Sequence, residues 1–132
     1  MTPRIDFSRL AQFKYAIINI VGNDGFPYSV PTGFRVAGGR ILLTPATLPM
    51  TVAGKRVGVL FNHITAIPTG GYTDRRYILI WGDLVENDGM LELRPEALSE
   101  WDEKLLPFPE LCARAAPQGQ KYLDRLRSQV EA

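Results

Sequence analysis

Along the first ninety or so residues, short apolar runs alternate with clusters of Gly, Pro, Asn and Asp, which is the rhythm of β-hairpins. Residues 14–21 read as a strand whose Ile17, Ile18, Ile20 and Val21 are apolar on both faces, as in a barrel wall. Asn23-Asp24-Gly25 follows, a turn signal because these residues tolerate positive φ. The next strand is predicted over 28–36, with Pro31 marking an edge or a bulge. Gly38-Gly39 turns the chain into a strand over 40–44. Two more strands are expected at 56–62 and 75–86, the latter carrying Tyr77, Ile78, Leu79, Ile80 and Trp81. Residues 64–74, with Pro68, Gly70 and Gly71, read as a loop, and Asn87-Asp88-Gly89 turns into a short last strand over 90–93. Three hairpin turns between β-branched runs describe an antiparallel meander, closed most economically as a small barrel.

Helical signals lie at the two ends. Asp6 suits an N-cap, and Ile5 with Leu10 has the spacing of a hydrophobic staple, so a short opening helix is expected. Pro95 is placed to begin a second helix with Ala97, Leu98, Trp101 and Leu105 on one face. A third starts near Glu110, is interrupted at Pro117, and resumes as the stripe Tyr122, Leu123, Leu126 and Val130. Residues 45–55 lack a clear period and have room for one helical turn. No internal repeat is visible.

Length and composition sharpen this to one domain, with a barrel over about 10–94 and a helical segment over 95–132. A chain of 132 residues with 45% apolar side chains supports a core without staples. Its single cysteine forms no internal disulfide and suits a reducing compartment. Fifteen basic residues against fourteen acidic ones leave no bulk cationic surplus, which argues against a nucleic-acid partner. Charged residues at Arg4, Asp6 and Arg9 argue against a leader peptide, and the longest nearly apolar run, 15–21, is far short of a bilayer span. The expectation is a soluble cytoplasmic protein without a membrane partner.

The common chemical motifs are missing: no phosphate loop, dinucleotide fingerprint, Cys-x-x-Cys pair or His-Glu-x-x-His is present. His63 and Cys112 lie 49 positions apart, so neither a thiol protease nor a protein-only metal site is expected. Cys112, between Leu111 and Ala113, reads as a buried inert thiol. No residue stands out as a general acid or base, and the catalytic set is left open.

The ordered strands carry a resemblance. Tyr15-Ala16-Ile17-Ile18-Asn19-Ile20-Val21, then Asn23-Asp24-Gly25-Phe26-Pro27-Tyr28-Ser29-Val30-Pro31 and Phe34, resembles the first hairpin of the pyridoxamine 5′-phosphate oxidase-like, flavin-binding split barrels. Gly38-Gly39-Arg40-Ile41-Leu42-Leu43-Thr44 is similar to that family's next strand. Lys55-Arg56-Val57-Gly58-Val59-Leu60-Phe61 and Ile78-Leu79-Ile80-Trp81-Gly82-Asp83-Leu84-Val85 are similar to two later ones. The closing stretch 114–127 resembles a subgroup with a C-terminal helix.

The resemblance implies a mainly β, antiparallel split barrel with short terminal helices. It implies a homodimer holding FMN or the deazaflavin F420 at its interface and acting as an oxidoreductase on a small organic substrate. Residue by residue, it sets Ser29, Val30, Pro31, Thr32 and Gly33 along the flavin ring, Thr44 near the ribityl phosphate, Asn62 at the far end of the next strand and Trp81 beside the ring. One departure stands out. Where those flavoenzymes carry an Arg-Lys phosphate clamp, this chain has the cation-free stretch Pro45-Ala46-Thr47-Leu48-Pro49-Met50-Thr51-Val52-Ala53-Gly54, leaving Thr47, Thr51, Lys55 or Arg56 to compensate.

Each candidate also has a plainer role. His63 reads as a proton donor or haem ligand, or as a partly exposed hydrogen-bonding side chain. Arg75-Arg76 could hold an anion or simply begin a solvated strand. Lys55-Arg56 has the same ambiguity, and Trp81 and Trp101 read as packing aromatics as readily as cofactor neighbours. Thr44 and Thr47 suit local backbone bonds. Besides flavin chemistry, the residues allow a cofactor-free barrel serving as a ligand- or protein-interaction module, and more distantly a haem protein. Phe34 and Phe61 are expected to contribute apolar surface for dimerisation.

Overall fold

The computed structural model describes residues 4–44 and 56–131. Two compact units divide between Trp101 and Asp102. The first holds α1 (Phe7–Leu10), β1 (Ala16–Val21), β2 (Pro27–Thr32), β3 (Phe34–Ala37), β4 (Arg40–Leu43), β5 (Arg56–Ala66), β6 (Tyr72–Asn87) and nearly all of β7 (Met90–Asp102). The second is built on α2 (Phe108–Glu131).

The seven strands form one sheet in the order β2-β1-β5-β6-β7-β4-β3. Each register that can be read is antiparallel. The two edge strands, β2 and β3, are neighbours in the chain and are parted only by Gly33. Laid flat, seven strands would hold those edges about 29 Å apart, so the sheet has to curl. The result is a curled antiparallel half-barrel. At the join, Thr32 Oγ1 donates to the Thr44 carbonyl at 2.7 Å, and the Thr44 amide donates to the Gly33 carbonyl at 2.9 Å. That is why the single strand expected over 28–36 is two. Pro31 lies on an edge strand, as its missing N–H requires.

The hairpin turns fall where the Gly-containing clusters place them. Asp88 and Gly89 have φ of 49° and 78°, and Gly38 and Gly39 have 58° and 73°, the consecutive left-handed pair of a tight hairpin turn. Inside the curl, Ile18, Ile41, Leu43, Val59, Phe61, Ile80, Leu84 and Leu93 are almost wholly buried. Phe61 sits at the centre, edge-on to Phe34 with ring centroids 4.9 Å apart and tilted against Phe13 at 6.2 Å. Asp6 caps α1 by accepting from the Ser8 amide at 3.0 Å, and Leu10 closes one end of the core.

Several expectations are corrected. The segment expected to form a helix from Pro95 is the second half of β7. The apolar spacing of Ala97, Leu98 and Trp101 fits a helix, but β7, the neighbour of β6 in the sheet, stays extended to Asp102, and the Trp101 ring is buried with its centroid 6.2 Å from that of Tyr77. The loop expected over 64–74 shrinks to a turn. Residues up to Ala66 and from Tyr72 pair as a hairpin, closed by a 3.0 Å bond from the Ile67 amide to the Gly71 carbonyl. Pro117 does not interrupt the last helix, because one lost amide bond is tolerated within 24 helical residues. Cys112 is exposed, since α2 buries none of its residues. Phe61 offers no surface for dimerisation, being fully buried. Trp81 is not a core residue either: it is 37% exposed on the outer face of the sheet. The helical turn considered over 45–55 lies outside the described residues. Among those described, no helix is long and apolar enough to cross a membrane.

Candidate ligand-binding groove

The strand period of two sends Ile18, Ile20, Val57, Val59 and Ile80 into the core, so their neighbours point outward. On that outer face one row crosses four strands. Ser29 is registered opposite Asn19, Asn19 opposite Gly58, and Gly58 opposite Trp81. This row forms the floor of an open groove of about 450 Å³, walled by Val21, Pro27, Tyr28, Leu79 and Arg56.

Each member of the row has a distinct job. A side chain at Gly58 would stand in the groove, its Cβ 3.5 Å from the Trp81 indole, so glycine keeps the floor flat. Asn19 is saturated: its amide nitrogen donates to the Gly58 carbonyl at 3.2 Å and the Ile17 carbonyl at 3.3 Å, and Oδ1 accepts from Ser29 at 2.7 Å. The Ser29 hydroxyl hydrogen is thereby committed, and its oxygen faces outward as an acceptor. Arg56, the cation in the lining, is ion-paired with Glu96. Tyr28 donates to Asp24 in the hairpin turn, which draws the Asp24 carboxyl below the usual carboxylate range and pushes the Tyr28 phenol above its ordinary value. The groove therefore offers a planar apolar slot with an aromatic edge, one acceptor and a half-neutralised cation.

Of the residues singled out from the sequence, Ser29, Arg56 and Trp81 meet here. Val30 is half-buried opposite Ile18, and Pro31 lies exposed opposite Ile17. Thr32, Gly33 and Thr44 form the edge junction, three residues or about 10 Å further along the strand. Thr47 and Lys55 lie outside the described residues.

Asn62, His63 and Arg76 gather elsewhere. Arg56 and His63 lie seven positions apart along β5, about 23 Å of strand. Asn62 and His63 line a smaller cleft of about 190 Å³ with Lys14, Tyr15 and Ile64. Behind it, His63 Nε2 lies 3.1 Å from an Asp74 carboxylate oxygen, and the other Asp74 oxygen accepts from Arg76 at 2.8 Å. Asp74 has φ 53° at a register shift in the β5–β6 ladder, a conformation Asp tolerates better than most residues. Arg76 also stacks over Phe13 at 5.9 Å. His63 and Arg76 thus both meet Asp74, and Arg75 covers Trp101 at 5.6 Å.

Asn19, Tyr28 and Gly58 were not singled out from the sequence as site residues. A lone Asn in the run Ile17-Ile18-Asn19-Ile20 and a Gly between Val57 and Val59 were the available signals. Among the described residues, no group of three or more His, Cys, Asp or Glu is placed to hold a metal ion. No family model and no curated protein matches the chain.

Proposed function

We propose that this chain binds a flavin, FMN or F420, with the tricyclic ring in the groove, and acts as an oxidoreductase on a small organic substrate. The row Ser29–Asn19–Gly58–Trp81 carries the reading, because a flat strand floor beside an indole matches a planar ring. In this reading Trp81 flanks the ring, Gly58 admits it, and the Ser29 oxygen accepts from a ring N–H. The bound flavin supplies the redox centre, and the protein supplies binding and orientation. The phosphate is served less well: Arg56 shares its charge with Glu96. The groove is open along one side, and a second copy of the split barrel would close it, giving the homodimer that the resemblance implies.

Titration of the purified protein with FMN and with F420 tests the proposal. Quenching of flavin fluorescence and a rise in Tm are expected, both lost in Gly58→Leu. The absence of both signals at saturating ligand would overturn it. The Arg56–Glu96 pair supports a second reading, a cofactor-free barrel whose groove takes an uncharged ligand or a protein segment. That reading predicts colourless protein whose Tm is unmoved by either flavin.

A further inference from the structure

The helix α2 carries an ordered apolar stripe. Phe108, Cys112, Ala115, Gly119, Tyr122 and Leu126 follow one another at intervals of 4, 3, 4, 3 and 4 residues, the spacing of a coiled-coil seam. At 100° per residue these six fall within 40° of one line along the helix. The charged residues avoid that line. Glu110, Arg114, Lys121, Asp124, Arg125, Arg127 and Glu131 all project from the opposite arc, where Gln120 also bonds Asp124 at 2.9 Å. Yet no residue of α2 is buried, and Phe108, Tyr122 and Leu126 are 44%, 58% and 39% exposed.

We propose that α2 pairs antiparallel with α2 of a second copy of this chain, the two-fold axis passing at Pro117. The stripe is complementary to itself when reversed about that point. Phe108 then faces Leu126 of the second copy, Cys112 faces Tyr122, and Ala115 faces Gly119. Bulk meets bulk at the ends, a ring covers a small thiol, and two small side chains let the backbones approach at the crossing. A parallel pairing would set Tyr122 against Tyr122 and Gly119 against Gly119, leaving a gap beside a clash. Pro117 points 180° away from the stripe, so its missing amide bond faces water.

Electrostatics and area agree with a second copy as the occupant. Antiparallel helices align their dipoles head to tail. The charges bordering the stripe are Arg125 and Arg127, each about 100° from its centre line, and the antiparallel pairing sets them beside the start of the partner helix and not against each other. Four cations and three acids on the outer arc are a poor match for an anionic lipid surface, which favours a cationic polar face. Twenty-four residues span about 36 Å, and half the helix circumference over that length is on the order of 600 Å² per copy. The resulting ~1,200 Å² is the lower bound of a specific interface.

This inference stands on α2 alone: Gly119→Leu and the Cys112 cross-link test the helix pairing, whereas flavin titration tests the groove, so the two readings fail separately. Light scattering of the full chain near 100 μM should give twice 14.7 kDa. Under oxidising conditions Tyr122→Cys should form an intermolecular disulfide between Cys112 and the thiol introduced at position 122, identified by peptide mapping. Gly119→Leu should weaken self-association at least tenfold while circular dichroism shows helix content kept or raised, which separates lost pairing from lost folding. A monomer mass for the wild type, with or without vesicle binding, overturns the proposal. So does a dimer whose mass survives Gly119→Leu, or one in which Cys112 cross-links only to Cys112.

Discussion

Gly82 and Arg94 meet backbone to backbone: a methyl group on Gly82 would lie 2.0 Å from the Arg94 carbonyl oxygen and 3.1 Å from the Pro95 Cα. That approach lets β6 and β7 continue side by side through the segment where Pro95 begins a helical pattern. Because the obstacle is backbone, it cannot rotate aside. Gly82→Ala is expected to cost about 3 kcal/mol or more and to lower Tm by roughly 10 °C. Thermal unfolding of that variant checks it, and a loss below 1 kcal/mol would mean the two strands are not in contact.

The same contact explains which part of the fold was legible. Turn chemistry is local, so Asn23-Asp24-Gly25, Gly38-Gly39 and Asn87-Asp88-Gly89 marked the hairpins correctly. Strand cores such as Ile17 to Ile20 follow from β-branched runs. The stretch 95–102 is ambiguous by itself, since Ala97, Leu98 and Trp101 suit a helix while Ala97, Ser99 and Trp101 suit a strand. Only the distant Gly82 decides, through a closeness that no local pattern expresses.

Phe61 is expected to be the most costly side chain to truncate in the curl, as it touches Phe13 and Phe34 from full burial. Phe61→Ala should lose about 3–5 kcal/mol. Trp81→Ala, on the outer face, should lose less than about 1 kcal/mol. Chemical denaturation of the two variants side by side gives the contrast. Equal losses would contradict the assignment of inner and outer faces.

Asn19 ties the floor of the groove together, and its role was invisible in the sequence for a reason of register. An Asn within an apolar strand signals something polar, but only the pairing Asn19↔Ser29 and Asn19↔Gly58 shows what it serves. Ser29 and Trp81 entered as candidates through the resemblance and Arg56 through its charge, but that the three line one groove follows from register alone. Asn19→Asp removes the amide donor and turns a carboxylate toward the Gly58 and Ile17 carbonyls. A stability loss of about 2 kcal/mol is expected, with flavin affinity falling at least tenfold if the ring lies on this floor. Denaturation and fluorescence titration of one sample measure both, and unchanged stability would show that the bridge is unimportant.

The Tyr28–Asp24 hydrogen bond gives the hairpin beside the groove a pH dependence of calculable sign. The bond from the Tyr28 hydroxyl, followed by that from the Phe26 amide, holds the Asp24 carboxyl below its ordinary value. A lowered carboxylate contributes stability above about pH 4, and that contribution drains away as pH falls through the depressed value. Bonding to Asp24, with some burial, raises the Tyr28 phenol. Its contribution is complete below about pH 10 and is lost as pH rises through the raised value. Tyr28→Phe removes the phenol and the larger cause of the Asp24 shift, leaving the Phe26 amide bond to Asp24 in place. The stability difference between wild type and Tyr28→Phe should therefore be flat across neutral pH and shrink at both extremes. In the wild type, one tyrosine should ionise later than free phenol when followed by ultraviolet absorbance. A difference that grew on acidification would reverse the sign and remove the bond from the account of this turn.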